Sequence, residues 1–171
     1  MSQVWLDLMR SKTGEEILNI ILTSKRANED LTHALNFTNS KEIPGEDKWR
    51  LKIVLRKWVE GMDVTMEFRT FIKNNLMTAI TEYNHPFIVA ELLNDDNCLE
   101  IKGKIFKVWK TKIKEGLKYL ADYVIDFAIL SDGSVQLVEL NPWANSAGSG
   151  LFNWINDKDI LYGQNVDKSK E

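Results

Sequence analysis

The stretch Tyr123–Pro142, Tyr-Val-Ile-Asp-Phe-Ala-Ile-Leu-Ser-Asp-Gly-Ser-Val-Gln-Leu-Val-Glu-Leu-Asn-Pro, constrains this chain more than any other. Two apolar runs rich in Val and Ile flank Asp132-Gly133, and glycine's tolerance of positive φ makes that dipeptide a strong signal for a tight hairpin turn. With the turn centred there, Leu130 stands opposite Val135, Ala128 opposite Leu137, Val124 opposite Asn141, and Asp126 opposite Glu139. Like charges facing each other across a ladder repel, and the adjoining pairs on that face offer no base. A divalent cation would relieve the repulsion, with Asp126, Glu139 and the Asn141 amide carbonyl as oxygen ligands of the kind Mg²⁺ takes. Solvation, or a lysine from another part of the chain, would answer the same need. The hairpin alone does not choose between them.

At 171 residues the chain is long enough to bury a sizeable core as one domain. Its 22 basic and 25 acidic residues leave a net charge of −3, which gives no general pull towards nucleic acid. No apolar run has membrane-spanning length, and Met1–Arg10 carries Asp7 and lacks the apolar core of a signal peptide, so a cytoplasmic location is expected. The single Cys98 excludes an internal disulfide, and with only His33 and His85 besides, a zinc site is not expected.

Before the hairpin, Ile17–Leu22 is a compact β-branched run that leans towards a strand, and Ser24 or Asn28 can cap a short helix through Leu35. Asn36–Asp47 reads as a loop around Pro44-Gly45. Trp49–Glu60 alternates like a strand, and Met66–Lys73 and Leu76–Tyr83 form a second hairpin around Asn74-Asn75, with Arg69 facing Ile80 and Glu67 facing Glu82. Ile101, Ile105, Trp109, Ile113 and Leu117 recur every four residues on a helix whose other face carries Lys102, Lys104, Lys107, Lys110, Lys114 and Lys118, read as a solvated face. Leu151-Phe152-Asn153-Trp154 opens a closing segment rich in large apolar groups, and Asp167–Glu171 is a polar tail. Strand pairs on either side of a helix predict an α+β fold, an antiparallel sheet with helices packed on one side.

Four blocks resemble the cell division cycle protein 123 family. Leu55-Arg56-Lys57-Trp58-Val59-Glu60 and Met66-Glu67-Phe68-Arg69-Thr70-Phe71-Ile72-Lys73 are similar to its Leu-Arg-Lys-Trp and Glu-Phe-Arg-Cys-Phe-Val motifs. Glu139-Leu140-Asn141-Pro142-Trp143 is similar to its Asp-Phe-Asn-Pro-Phe, and Ser149-Gly150-Leu151-Phe152-Asn153-Trp154 to its Ser-Leu-Leu-Phe-x-Trp. The resemblance implies an ATP-grasp-like fold in which ATP lies between two sheets, with residues 1–48 as a reduced N-terminal part and 49–162 as a nucleotide-binding core. It implies Mg²⁺ on Asp126, Glu139 and Asn141, a hinge at Lys57-Trp58-Val59-Glu60 meeting the adenine edge, and Arg56, Glu67 and Arg69 lining ribose and phosphates, with Asp126 beside them. Phosphate calls for fixed cations, and arginine offers a planar bidentate fork.

The implied activity is that of an ATP- and Mg²⁺-binding assembly chaperone for the translation initiation factor two complex, partnering its gamma subunit, rather than a catalyst. A carboxylate-amine ligase, and an interaction module that has lost nucleotide, are the alternatives. The family's N-terminal Lys-Leu-Asn-Trp-Ser motif has no counterpart in this sequence, and the chain departs from the family in two further places. Ile21-Leu22-Thr23-Ser24-Lys25 replaces Leu-Lys-Ser-Ser-Asp, putting Leu22 where a lysine is expected, and Glu82-Tyr83-Asn84 replaces Gln-Arg-Asp, losing an arginine.

Overall fold

The computed structural model describes residues 10–39, 52–85 and 88–164. Of the loop expected over Asn36–Asp47, residues 36–39 are helical instead, and the rest of it, the start of the Trp49–Glu60 strand and the polar tail lie outside the described residues. The chain divides into two compact units, Met1–Trp58 and Val59–Glu171.

In the first unit, helix α1 spans Gly14–Thr23 and helix α2 spans Lys25–Asn39. The strand expected over Ile17–Leu22 is therefore a helix, and the reason is local. The Thr13 hydroxyl accepts from the Glu16 backbone N–H while the Glu16 carboxylate accepts from the Thr13 N–H, a capping box that starts α1. Ile17, Ile20 and Ile21 then share one helical face. Ser24 caps α2 as expected, its hydroxyl accepting from the Ala27 N–H. Residues 52–59 form no regular element, which overturns the strand expected there. Alternation fixes which side chains share a face, but it does not by itself make a strand, which also needs a ladder.

The second unit is built on a four-stranded antiparallel sheet in the order β2-β1-β3-β4, with β1 at Glu67–Lys73, β2 at Leu76–Glu82, β3 at Tyr123–Ile129 and β4 at Val135–Pro142. The β1–β2 turn is the expected one: Asn74 and Asn75 take φ of 52° and 60°, the left-handed pair that a two-residue primed turn demands. Beyond it a bulge at Thr78 shifts the register, so Arg69 opposes Thr81 and Phe68 opposes Glu82, in place of the expected Arg69/Ile80 and Glu67/Glu82 pairs. The extra residue has work of its own, since the Thr78 hydroxyl donates to the Leu161 carbonyl at 2.7 Å.

The β3–β4 hairpin departs from expectation twice, and the departures cancel. Its loop is wider than a two-residue turn: Leu130 N–H donates to Ser134 C=O and Gly133 N–H to Leu130 C=O, with Gly133 at φ 78°, so Ile129 pairs with Val135. A bulge at Val138 then restores the offset, leaving Phe127 opposite Leu137 and Ala128 opposite Gln136, while Asp126 still meets Glu139 and Val124 meets Asn141.

Helix α3, Asp95–Val108, packs Ile101 and Ile105 against Phe68, Ile72, Tyr123, Ile125 and Phe127 on one face of the sheet. Asn94 caps it, its side-chain oxygen accepting from the Asp96 and Asn97 N–H groups. The four-residue apolar spacing drifts about 40° per step on an ideal α-helix. One π-turn at Trp109–Ile113 takes up that drift and keeps Trp109, 1% exposed, and Ile113 on the core. The other face is covered by the closing segment: Trp154 and Phe152 meet the Phe71 ring edge-on at 5.6 and 6.0 Å, and the one-turn helix α4, Lys158–Leu161, buries Leu161.

Trp109 fills the centre of the α3 layer and donates its indole N–H to the Tyr123 hydroxyl at 2.9 Å. Trp109→Ala is expected to cost roughly 3–5 kcal/mol in urea unfolding, with Trp109→Phe, which loses the hydrogen bond and only part of the volume, falling well short of that.

Candidate functional site

On the sheet face away from α3, β1 and β3 bring Arg69 directly opposite Asp126. Arg69 Nε donates to Asp126 Oδ1 at 2.9 Å and Nη2 to Oδ2 at 2.8 Å, a bidentate pair in which Arg69 is 6% exposed and Asp126 0%. Asn141, from β4, donates its amide Nδ2 to the same Oδ2 at 3.1 Å. Glu139 is exposed across the ladder from Asp126, and Glu67, half-buried, precedes Arg69 on the same face. The Tyr83 ring lies against the guanidinium, 4.7 Å from centroid to Cζ. Gly148 closes in as well: at φ 69° its position is such that an added Cβ would lie 3.0 Å from Arg69 Nη1.

The sign of the cluster is negative. Burial first, then the charge of Asp126, push the Glu67 carboxyl from 4.5 up to about 7, with Glu139 adding to the rise and Arg69 opposing it. Burial works to lower the Arg69 guanidinium, but the hydrogen bonds and charge of Asp126 outweigh it and raise it, with Tyr83 and Glu139 contributing. Three carboxylates therefore act on one another around a single guanidinium.

Of the ways left open for relieving the Asp126/Glu139 repulsion, a basic side chain from another part of the chain is present, and it is an arginine. Arg69 neutralises Asp126 across a non-local pairing that the hairpin could not disclose. Among the described residues no group of three or more His, Cys, Asp or Glu side chains is arranged to hold a metal ion. The donor set still fits Mg²⁺ in kind, with carboxylate oxygens of Asp126 and Glu139 and, once its amide is turned, the Asn141 carbonyl. Arg69 already brings a positive charge to Asp126, so the repulsion between Asp126 and Glu139 is met in part without a cation.

The remaining expected residues lie around the boundary between the units. Arg56 and Lys57 are exposed and Trp58 is half-buried, with the Arg10 guanidinium 5.6 Å from its ring centroid. Arg56 and Trp58 line a cavity of about 630 Å³ in the first unit with Ile17, Ile21, Leu31 and Leu55, a volume in the range of small-ligand sites. Val59 and Glu60 belong to the second unit, so the boundary passes through the expected hinge. Sequence reasoning missed Gly148 and the role of Tyr83. The tyrosine that stands in place of an expected arginine is the one whose ring backs Arg69, and a glycine inside the small-residue loop Trp143–Gly150 was the available signal for the other.

The antiparallel sheet with its helix layer is an α+β fold. This fold is similar to that of C-terminally truncated Cdc123 from Schizosaccharomyces pombe, at a TM-score of 0.66 and 23% identity over 88% of this chain and 58% of that one. The D123 family model matches residues 4–170, and the chain belongs to this family, the cell division cycle protein 123 family. Curated relatives include the translation initiation factor eIF2 assembly proteins of Danio rerio, 26% identical over 95% of this chain, and of Emericella nidulans, 30% identical over 95%. The chain spans 45% and 41% of those two proteins' lengths.

The raised Glu67 carboxyl predicts a pH signature. The folded state keeps this proton up to about pH 7, whereas the unfolded chain loses it near the ordinary 4.5, so stability falls as pH rises through that window. Discounted for partial solvent screening, the effect is roughly 1 kcal/mol, or about 2–4 °C in Tm. Thermal unfolding at the two ends of the window is expected to show that drop in the wild type, and Glu67→Gln to flatten it.

Proposed function

We propose that this chain is an ATP- and Mg²⁺-binding assembly factor that acts on the translation initiation factor two complex in the cytoplasm and engages its gamma subunit. Family membership and the names of the relatives support the assembly role. The observation that carries the nucleotide reading is the excess of carboxylates, Glu67, Asp126 and Glu139, around one buried arginine. Asp126, Glu139 and Asn141 would hold Mg²⁺, which supplies charge neutralisation for phosphate oxygens. Freed from Asp126, Arg69 is a bidentate donor suited to phosphate, with Tyr83 and Gly148 holding its plane. By resemblance to the family, Lys57-Trp58-Val59-Glu60 is the segment that would meet the adenine edge, with Arg56 contributing to the ribose and phosphates. No bond-making step is required, since ligand binding to the folded state is itself enough to order it for a partner.

The closed Arg69–Asp126 pair favours a second reading, an interaction module in which the guanidinium permanently replaces the cation. Thermal unfolding with Mg²⁺ and ATP separates the two. The first reading expects both ligands together to stabilise the fold by about 2.7 kcal/mol at a hundredfold excess over Kd, seen as a rise in Tm, and expects that rise to be lost in Glu139→Gln. Glu139 is exposed, so that variant tests the site without breaking the buried pair. No shift at millimolar nucleotide overturns the nucleotide reading, and failure of the gamma subunit to co-purify with the wild type overturns the partner.

A further inference from the structure

We propose that the lysine face of α3 and its π-turn is a docking surface for an acidic segment of a partner protein. Seven lysines fall between Lys102 and Lys118 against one carboxylate, Glu115. That window carries a net +6 in a chain whose total is −3, which leaves −9 to the remaining residues. The charge is thus segregated onto one element instead of being dispersed as solubility alone would ask.

Two features mark the face as more than a solvated surface. Lys104, Lys107 and Lys110 follow at three-residue steps, and Lys110, Lys114 and Lys118 at four-residue steps, so like charges are stacked where a helix built only for stability would alternate them with glutamate. Among the described residues, carboxylate partners are found only towards the ends of the row, Glu100 on Lys104 at 2.7 Å and Glu115 on Lys118 at 2.9 Å. Lys107, Lys110, Lys112 and Lys114 have none among the described residues.

The ammonium groups are also pre-positioned. Lys110 lies over the Phe106 ring at 5.4 Å, Lys114 over Trp109 at 4.9 Å and Lys118 over Tyr119 at 5.6 Å, and Trp109 itself is locked in the core. Side chains held in place lose less freedom when they bind.

The chemistry of the face selects the class of partner. It contains no arginine between 102 and 118, the residue that reads phosphate bidentately, and the chain's net charge opposes a long polyanion. Its Phe106 and Trp109 rings lie under ammonium groups, so those two are not open for base stacking. The apolar face of α3, with Ile101, Ile105 and Trp109, is buried against the sheet and cannot enter a bilayer. Tyr119, 88% exposed, and Leu120, 44% exposed, adjoin the lysines and suit a peptide that mixes acidic with apolar side chains.

This inference does not rest on the nucleotide reading. Fluorescence anisotropy of a labelled peptide of alternating glutamate and leucine, titrated with the full chain, tests it. Saturable binding is expected, weakening as salt rises and at least about tenfold weaker in the Lys107→Glu/Lys110→Glu/Lys112→Glu variant. All three positions are exposed, and the variant's thermal unfolding should match the wild type. A Lys→Gln version of the same variant should fall between the two. No saturable binding by the wild type overturns the proposal, as does undiminished binding by the charge-reversed variant. Tighter binding of a single-stranded RNA of equal charge, or of phosphatidylserine vesicles, overturns it in favour of those partners.

Discussion

The rest of the second unit depends on a charge pair placed where the sheet is driest. Arg69 and Asp126 stand on neighbouring central strands, and their two parallel hydrogen bonds tie β1 to β3 on the face away from α3. Taking both ions out of water is costly, and a pair of this kind adds little net stability, yet removing one partner alone costs about 3–5 kcal/mol because the other is left buried and uncompensated. The surroundings are therefore specified around it. Asn141 satisfies a second lone pair of Asp126, the Tyr83 ring covers the guanidinium, and Gly148, without a side chain, lets the loop before Gly150 close down on it.

Much of the fold was legible where the signal was local. Asn74-Asn75 marked a primed turn, Asp132-Gly133 a hairpin, and the apolar spacing from Ile101 a helix, because backbone preferences and periodicity act over a few residues. What failed did so partly for a local reason and partly for reasons beyond the segment itself. The β-branched run Ile17–Leu22 outweighed the quieter Thr13/Glu16 capping box, which settles the first unit's helix. Bulges at Thr78 and Val138 leave no mark in composition, since each is an accommodation between two strands.

The site divides along the same line. Asp126, Glu139 and Asn141 come from one hairpin, and their juxtaposition could be read from the sequence, although through a register whose two errors cancel. The partner of Asp126 could not be read that way. Arg69 lies 57 residues earlier in the chain and meets it only because β1 inserts between β2 and β3. Sequence resemblance had placed Arg69 among phosphate ligands and Asp126 among metal ligands without indicating that each could hold the other.

The bulge at Val138 has a bearing on how such a protein can vary. It sits between the Leu130–Ser134 loop and the Asp126/Glu139 rung, so the strand is out of step on the loop side and in step on the other. A hairpin loop shortened or lengthened by one residue can be absorbed there, as slack in a cable is taken up at a single splice, without turning Glu139 or Asn141 to the wrong side of the sheet. The tip of the hairpin is thereby insulated from the acidic rung, and changes in one need not be written into the other.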